Sequence, residues 1–205
     1  GPDPAGNSKL KDVIAKCKAA NMPNDTINNA IKKASGEGNT AAYEEVTYEG
    51  YGPNGVALIV EANTDNRNRT AADVRHAFDK AGGNLGTNGC VSYLFSKKGI
   101  IVIEKESTNK DEEELMMMAL EAGAEDFEIL EEVYEITVEP SNFTEVREKL
   151  ESEGLTFLEA SVQMIPSTTV ALDEQAQEKM ERLIERLDDL DDVMNVYHNA
   201  EMSEE

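Results

Sequence analysis

Cysteine, histidine and long apolar runs are all scarce in this chain. Two cysteines among 205 residues, Cys17 and Cys90, cannot build a disulfide framework or, alone, a four-ligand zinc site. A reducing compartment is the simpler reading, with both side chains packed as small apolar groups. The two histidines, His76 and His198, stand about 120 residues apart, and nothing beside either resembles a metal pair or a nucleophile–base set. The longest purely apolar stretch is Val56-Ala57-Leu58-Ile59-Val60. A spanning helix needs roughly 20 such residues, so no transmembrane helix is expected, and no secretory apolar region is present. No Gly-Lys-Ser/Thr follows Gly50, Gly52 and Gly55, which therefore read as a hairpin turn and not as a phosphate loop. Acid pairs such as Glu44-Glu45 are too common in a chain with 42 acidic residues to mark a glycosidase-like carboxylate pair.

Cations are also in short supply, with 19 Lys and Arg against 42 Asp and Glu and a net charge of −23. The imbalance is local. Residues 1–38 carry six Lys against four acids, residues 39–105 seven basic against eight acidic side chains, and residues 106–205 six against thirty. A polyanion would be repelled by the last hundred residues and could approach only the first hundred. The acidic half reads mainly as solvated helix faces. The apolar share of 40% and charged share of 30% allow packed cores, and the length allows one large domain or two to three small ones.

Periodicity gives three blocks. In the first, Leu10, Val13, Ile14 and Cys17 form one helical stripe. Pro23 interrupts it, and Asn24 or Asp25 is expected to cap a second helix, with Ile27, Ala30, Ile31 and Ala34, that ends at Gly36. Two short helices bury little surface, and the chain opens Gly1-Pro2-Asp3-Pro4 without methionine, so further residues upstream are expected. The second block reads as strands 43–51 and 56–62 around Gly52-Pro53-Asn54-Gly55, then a helix over 69–81 closed by Gly82-Gly83. Strands 90–95 and 99–104 are expected to follow, joined by a hairpin at Ser96-Lys97-Lys98-Gly99. The third block holds a helix capped near Asn109 with Leu115, Met118, Ala119 and Ala122 inside, and strands near 127–130 and 133–139. A helix with an Asn142/Glu145 capping pair and a strand from Leu158 to Pro166 complete it. Met116, Met117 and Met118 could form an adaptable surface, although Met118 belongs to the inner stripe. The closing amphipathic helix (Leu172, Ala176, Met180, Leu183, Ile184, Leu187) and strand 193–197 supply the α-β that the second block lacks for a β-α-β-β-α-β unit. We therefore expect an α+β protein with a helical domain at 1–38, an α+β domain built from 39–107 and 168–205, and an acidic α+β domain, 108–167, inserted in it.

One polar constellation stands out. Asn63-Thr64-Asp65-Asn66-Arg67-Asn68-Arg69-Thr70, followed by Arg75 and His76, places amides and guanidinium groups where a strand gives way to a helix. Arg67 and Arg69 could grip phosphate at the helix N-terminus. Equally, the Asp and Asn side chains could cap the helix while the two arginines bond to acids of a neighbouring domain. His76 shares its exposed helix face with Arg69 and Lys80, and a surface role is its simplest reading.

Several long runs are familiar: Thr47 to Glu61, Thr64-Asp-Asn-Arg-Asn-Arg-Thr, Val74-Arg-His-Ala-Phe, Gly82 to Phe95 and Asp192-Val-Met-Asn-Val-Tyr-His-Asn-Ala. Together with Cys17-Lys-Ala-Ala-Asn-Met-Pro-Asn-Asp they resemble the YebC/PmpR family, which includes the mitochondrial translational activator of cytochrome oxidase subunit one. The resemblance covers almost the whole chain. It implies a small helical domain and two ferredoxin-like α+β domains, a cytoplasmic or organellar location, and no enzyme activity, cofactor or metal. It also implies either DNA-binding transcriptional regulation or ribosome-associated assistance to translation of proline-rich stretches. Family members usually carry a basic Lys- and His-containing segment before the position of Gly1.

Two functions follow. In the first, Lys9, Lys11, Lys16, Lys18, Lys32, Lys33, Arg67, Arg69, Arg75, His76 and Lys80 contact nucleic-acid phosphate, with weak, salt-sensitive, largely non-specific duplex binding. In the second, the same side chains meet ribosomal RNA while the acidic half faces away from it or meets basic ribosomal proteins. A third class is an acidic scaffold for a basic protein. No small-molecule substrate and no membrane partner are expected.

Overall fold

The computed structural model describes residues 1–35 and 42–202. In chain order its elements are α1 (Ser8–Ala19), α2 (Asn24–Ala34), β1 (Glu44–Tyr51), β2 (Ala57–Thr64), α3 (Arg67–Lys80), β3 (Asn84–Leu85), β4 (Phe95–Glu104), α4 (Glu112–Ala122), β5 (Asp126–Ile129), β6 (Val133–Val138), α5 (Phe143–Ser152), β7 (Glu159–Pro166), β8 (Val170–Ala171), α6 (Glu174–Asp188), β9 (Val193–His198) and β10 (Ala200–Glu201). The chain divides into two compact units, Gly1–Thr40 with Lys97–Gln163 and Ala41–Ser96 with Met164–Glu205. The expected helix end at Gly36 and domain edge at 38/39 lie outside the described residues.

The second unit is a β-β-α-β segment completed by α6 and β9. Its sheet runs β3-β1-β2-β9, and β1 pairs antiparallel with both β2 and β3. β9 pairs antiparallel with β2, Leu58 opposite His198 and Val60 opposite Val196, so the chain returns to this sheet after the inserted domain. The run Val56–Val60 is continuous because this sheet is covered on both faces. Val56, Leu58 and Val60 pack against Val74, Ala77 and Phe78 of α3 and Met180, Leu183 and Leu187 of α6. Ala57 and Ile59 point the other way, onto Val91 and Phe95. Each such side chain contributes about 1.5–3 kcal/mol through burial. Between β1 and β2 the chain reverses through Asn54 (φ 56°) and Gly55 (φ 74°), a left-handed pair that favours these residue types.

The insert is β4-α4-β5-β6-α5-β7 with sheet order β5-β6-β4-β7, a ferredoxin-like arrangement. Ile101, Ile103, Tyr134, Ile136 and Val138 pack beneath Leu115 and Ala119 of α4 and Phe143, Val146 and Leu150 of α5. Asp111, not Asn109, caps α4, accepting the Glu114 N–H at 2.8 Å. Asn142 stands at the start of α5 but makes no side-chain cap, and Glu145 pairs with Lys149 at 2.8 Å, so the expected capping pair does not form. Similarly, α2 starts after Pro23 with no side-chain cap.

The expected hairpin at Ser96–Gly99 is absent, because 95–104 is one strand. Gly99 pairs with Val138 and belongs to the insert's sheet. That pairing carries the insert's first edge, expected at residue 108, back to residue 97, and its second edge falls at 163 instead of 167. Gly99 is a glycine because Phe143 lies against it: a Cβ there would sit 2.6 Å from Phe143 Cδ2. Gly99→Ala is therefore expected to lower unfolding free energy by about 1–3 kcal/mol through overpacking, read by chemical denaturation. A true turn glycine in its place would leave Phe143 untouched. The expected strand 90–95 is a loop with a short 3₁₀ turn at Ser92–Leu94. Its backbone donors are taken by a buried carboxylate. Glu49 of β1 accepts the N–H groups of Gly89 (2.6 Å), Val91 (3.2 Å) and Ser92 (2.6 Å).

Candidate nucleic-acid interface

The polar constellation folds as a helix start braced by carboxylates. Asn66 caps α3 by accepting the Arg69 N–H at 3.1 Å. Thr70 Oγ1 donates to Asp192 Oδ2 at 2.7 Å, and Thr64 Oγ1 lies 3.3 Å from the same oxygen. Arg69 reaches both Asp65 and Asp192 at 2.8 Å. The hydrogen bond from Arg69 holds the Asp192 carboxyl below its ordinary pKa against the opposing effect of burial, aided by those from Thr70 and Thr64. Arg67 lies 3.7 Å from Glu44, and its carbonyl accepts from Tyr48 Oη at 3.5 Å. Of the two readings open for Arg69, the structure thus supports the brace. Its second acid, Asp192, comes from the returning α6–β9 segment of its own unit.

Further along α3, Arg75, His76 and Lys80 are exposed, while Val74, Ala77 and Phe78 face the core. None of the three has an ion-pair partner among the described residues. His198 plays no such part. Burial lowers its pKa, and its Nδ1 accepts the Ala200 N–H at 3.1 Å.

In the first unit the lysines divide. Lys11 lies 2.5 Å from Glu148, and Lys16 lies 3.2 Å from Glu159. Lys9 is exposed on the first turn of α1. Lys18, Lys32 and Lys33 are exposed without an ion-pair partner among the described residues. Lys16 and Lys18 close α1, and Lys32 and Lys33 close α2. Cations at helix C-termini complement the partial negative charge there. The structure therefore brings together Arg75, His76 and Lys80 on one helix and Lys18, Lys32 and Lys33 on the other two, while Lys11, Lys16, Arg67 and Arg69 each face carboxylates.

Three polar residues with structural consequences escape a reading of the sequence. Glu49 lies opposite Ile59 in β1, on an inward position. Asp192 is more than 120 residues from its partners Arg69 and Thr70. Arg147 falls at i+4 from Phe143 within the apolar stripe of α5. That spacing is the signal that it is buried. Among the described residues, no cluster of His, Cys, Asp and Glu could hold a metal ion, and no helix is long and apolar enough to cross a membrane.

A helical segment and two four-stranded antiparallel sheets backed by helices, one interrupting the other along the chain, define the fold class as α+β. The chain belongs to the TACO1/YebC family: residues 1–37 match its N-terminal domain, and residues 43–200 match its second and third domains. A relative from Acetivibrio thermocellus is 64% identical over 200 residues, covering 97% of this chain and 82% of its own. One from Clostridium novyi is 60% identical over 205 residues, covering 100% and 83%. Both are named "Probable transcriptional regulatory protein". The crystal structure of a conserved hypothetical protein from Aquifex aeolicus superposes with a TM-score of 0.84 at 47% identity, covering 100% of this chain and 84% of that one.

Proposed function

We propose that this chain is a non-enzymatic, cytoplasmic regulator of gene expression of the YebC type, and that it acts by binding nucleic acid, with duplex DNA as the first target. The observation that carries this reading is the regulatory name shared by relatives at 60–64% identity over nearly the whole chain. Charge supports it. In a molecule of net charge −23, Lys18, Lys32 and Lys33 at the ends of α1 and α2 and Arg75 and Lys80 on α3 are exposed without an ion-pair partner among the described residues, as are Lys97, Lys179 and Arg186 elsewhere. Lys18, Lys32 and Lys33 of the first unit and, separately, Arg75 and Lys80 of the second serve as phosphate contacts; His76 neighbours Arg75 on α3, and Lys9 lies on the first turn of α1. Among the described residues no element offers a base-reading pattern, so phosphate contact dominates and sequence preference is weak.

Fluorescence anisotropy of labelled duplex DNA titrated with protein at 25–200 mM KCl tests this. The expected log–log slope of affinity against salt is about −3 to −5, for three to five neutralised phosphates. A flat salt dependence contradicts direct binding. Stronger binding to ribosomal RNA than to duplex, together with co-sedimentation with ribosomes, transfers the target to translation. Retention only of basic proteins after nuclease treatment favours a scaffold.

A further inference from the structure

The basic first helix and the acidic insert belong to one compact unit, and the contact between them is ionic. Lys11 meets Glu148, and Lys16 meets Glu159. Between them on α1, Asp12 accepts from Thr144 Oγ1 at 2.8 Å and from Arg147 Nε at 3.2 Å. The Arg147 side chain is 4% exposed and also donates to Glu151 at 2.9 Å. Positions 11, 12 and 16 of α1 therefore meet opposite charge or a hydroxyl donor on the insert at every point. No residue of α1 is buried, and a cleft of about 990 Å³ runs along this seam, bordered by Lys11, Lys16, Lys18, Glu104, Arg147 and Thr156. Ile14, Leu155, Phe157 and Leu158 also line the cleft beside these pairs. The Lys11 and Lys16 side chains keep 44% and 59% of their exposure. Ion pairs this exposed are weak and screened by salt. A nucleic-acid duplex, with about one charge per 1.7 Å, offers a denser array of anions than two glutamates.

We propose that the insert is a built-in competitor for α1: Glu148 and Glu159 occupy Lys11 and Lys16, and a phosphate backbone must displace them to use those lysines. This rests on the nucleic-acid-binding reading above. It adds that the acidic domain sets the threshold for binding, admitting dense polyanions and holding off isolated carboxylates and phosphates. No residue of α1 is buried against the insert, and the exchange of Glu148 and Glu159 for phosphate is electrostatic.

The test compares three forms of this chain binding the same labelled duplex across salt: wild type, Glu148→Gln/Glu159→Gln, and a charge-matched control, Glu121→Gln/Glu131→Gln. The control glutamates are exposed and have no ion-pair partner among the described residues. The seam variant is expected to bind about 3- to 10-fold more tightly at 50 mM salt, with a slope steeper by about 1–2 as Lys11 and Lys16 join the contact. The control is expected to change by less than about 2-fold, reflecting net charge alone. Equal gains in both variants, or no gain in the seam variant, overturn the competitor while leaving binding intact. Salt-independent or absent binding by all three overturns the nucleic-acid reading, and the competitor with it. Thermal unfolding midpoints alike in all three proteins show that the comparison is between folded states.

Discussion

Replacing Glu49 with alanine is expected to lower unfolding free energy by about 3 kcal/mol, measured by urea denaturation at pH 7. The Glu49 carboxylate is 5% exposed and holds the loop after β3 through three backbone N–H groups. Alanine leaves those donors without an acceptor and loosens Val91 and Phe95, which cover Ala57 and Ile59. The pH dependence has a definite sign. Burial raises the Glu49 pKa, but the N–H groups of Gly89, Val91 and Ser92 outweigh it and hold the pKa below the ordinary value near 4.5. A carboxyl depressed on folding stabilises the native state fully above its unfolded pKa. That contribution is lost as pH falls through the lower folded value. Wild-type stability is therefore expected to decline below about pH 4.5 on account of this group, and Glu49→Gln flattens that part of the profile. Equal acid sensitivity in wild type and Glu49→Gln would show that the clamp contributes nothing.

Phe78→Ala is expected to cost about 3–5 kcal/mol, the range for deleting a fully buried aromatic side chain. Phe78 is 0% exposed and packs with Val74, Ala77, Leu183 and Met180 between α3, α6 and the sheet. It also lies against β1: a Cβ built on Gly50 would come within 2.8 Å of Phe78 Cε1, so the glycine makes room for the ring. Phe78→Leu is expected to cost less, because part of the volume is kept. Arg75→Ala, three residues away on the exposed face, is expected to change stability by no more than about 0.5 kcal/mol. Chemical denaturation of the three variants reads the contrast. Similar losses for Phe78→Ala and Arg75→Ala would contradict the assignment of faces on α3, and with it the exposure of Arg75, His76 and Lys80.

What could be read in advance was what repeats. The stripes of α1, α3, α4 and α6 and the alternation of Tyr134, Ile136 and Val138 are local patterns with one meaning. The return of the chain to its second domain followed from counting elements, and the β2–β9 pairing realises it. Other features were ambiguous because one residue type serves two purposes. Gly99 beside two lysines looks like a turn, but it is a strand position emptied for Phe143. Glu49 in a strand looks solvated, but its partners are backbone N–H groups some forty residues on. The candidate site was half legible. Which cations exist is plain from composition, but which of them meet acids depends on contacts as distant as Lys16 to Glu159. The division into Lys11, Lys16, Arg67 and Arg69, held by carboxylates, and Lys18, Lys32, Lys33, Arg75 and Lys80, without such partners, comes from the fold.

The central claim is that cations on the helical segment contact nucleic-acid phosphate. Its most direct test is the salt dependence of duplex DNA binding by wild type and by the triple variant Lys18→Ala/Lys32→Ala/Lys33→Ala. The account predicts a loss of affinity of about 10- to 50-fold at 50 mM salt and a log–log slope shallower by about 2–3. An unchanged affinity and slope in the triple variant would contradict it.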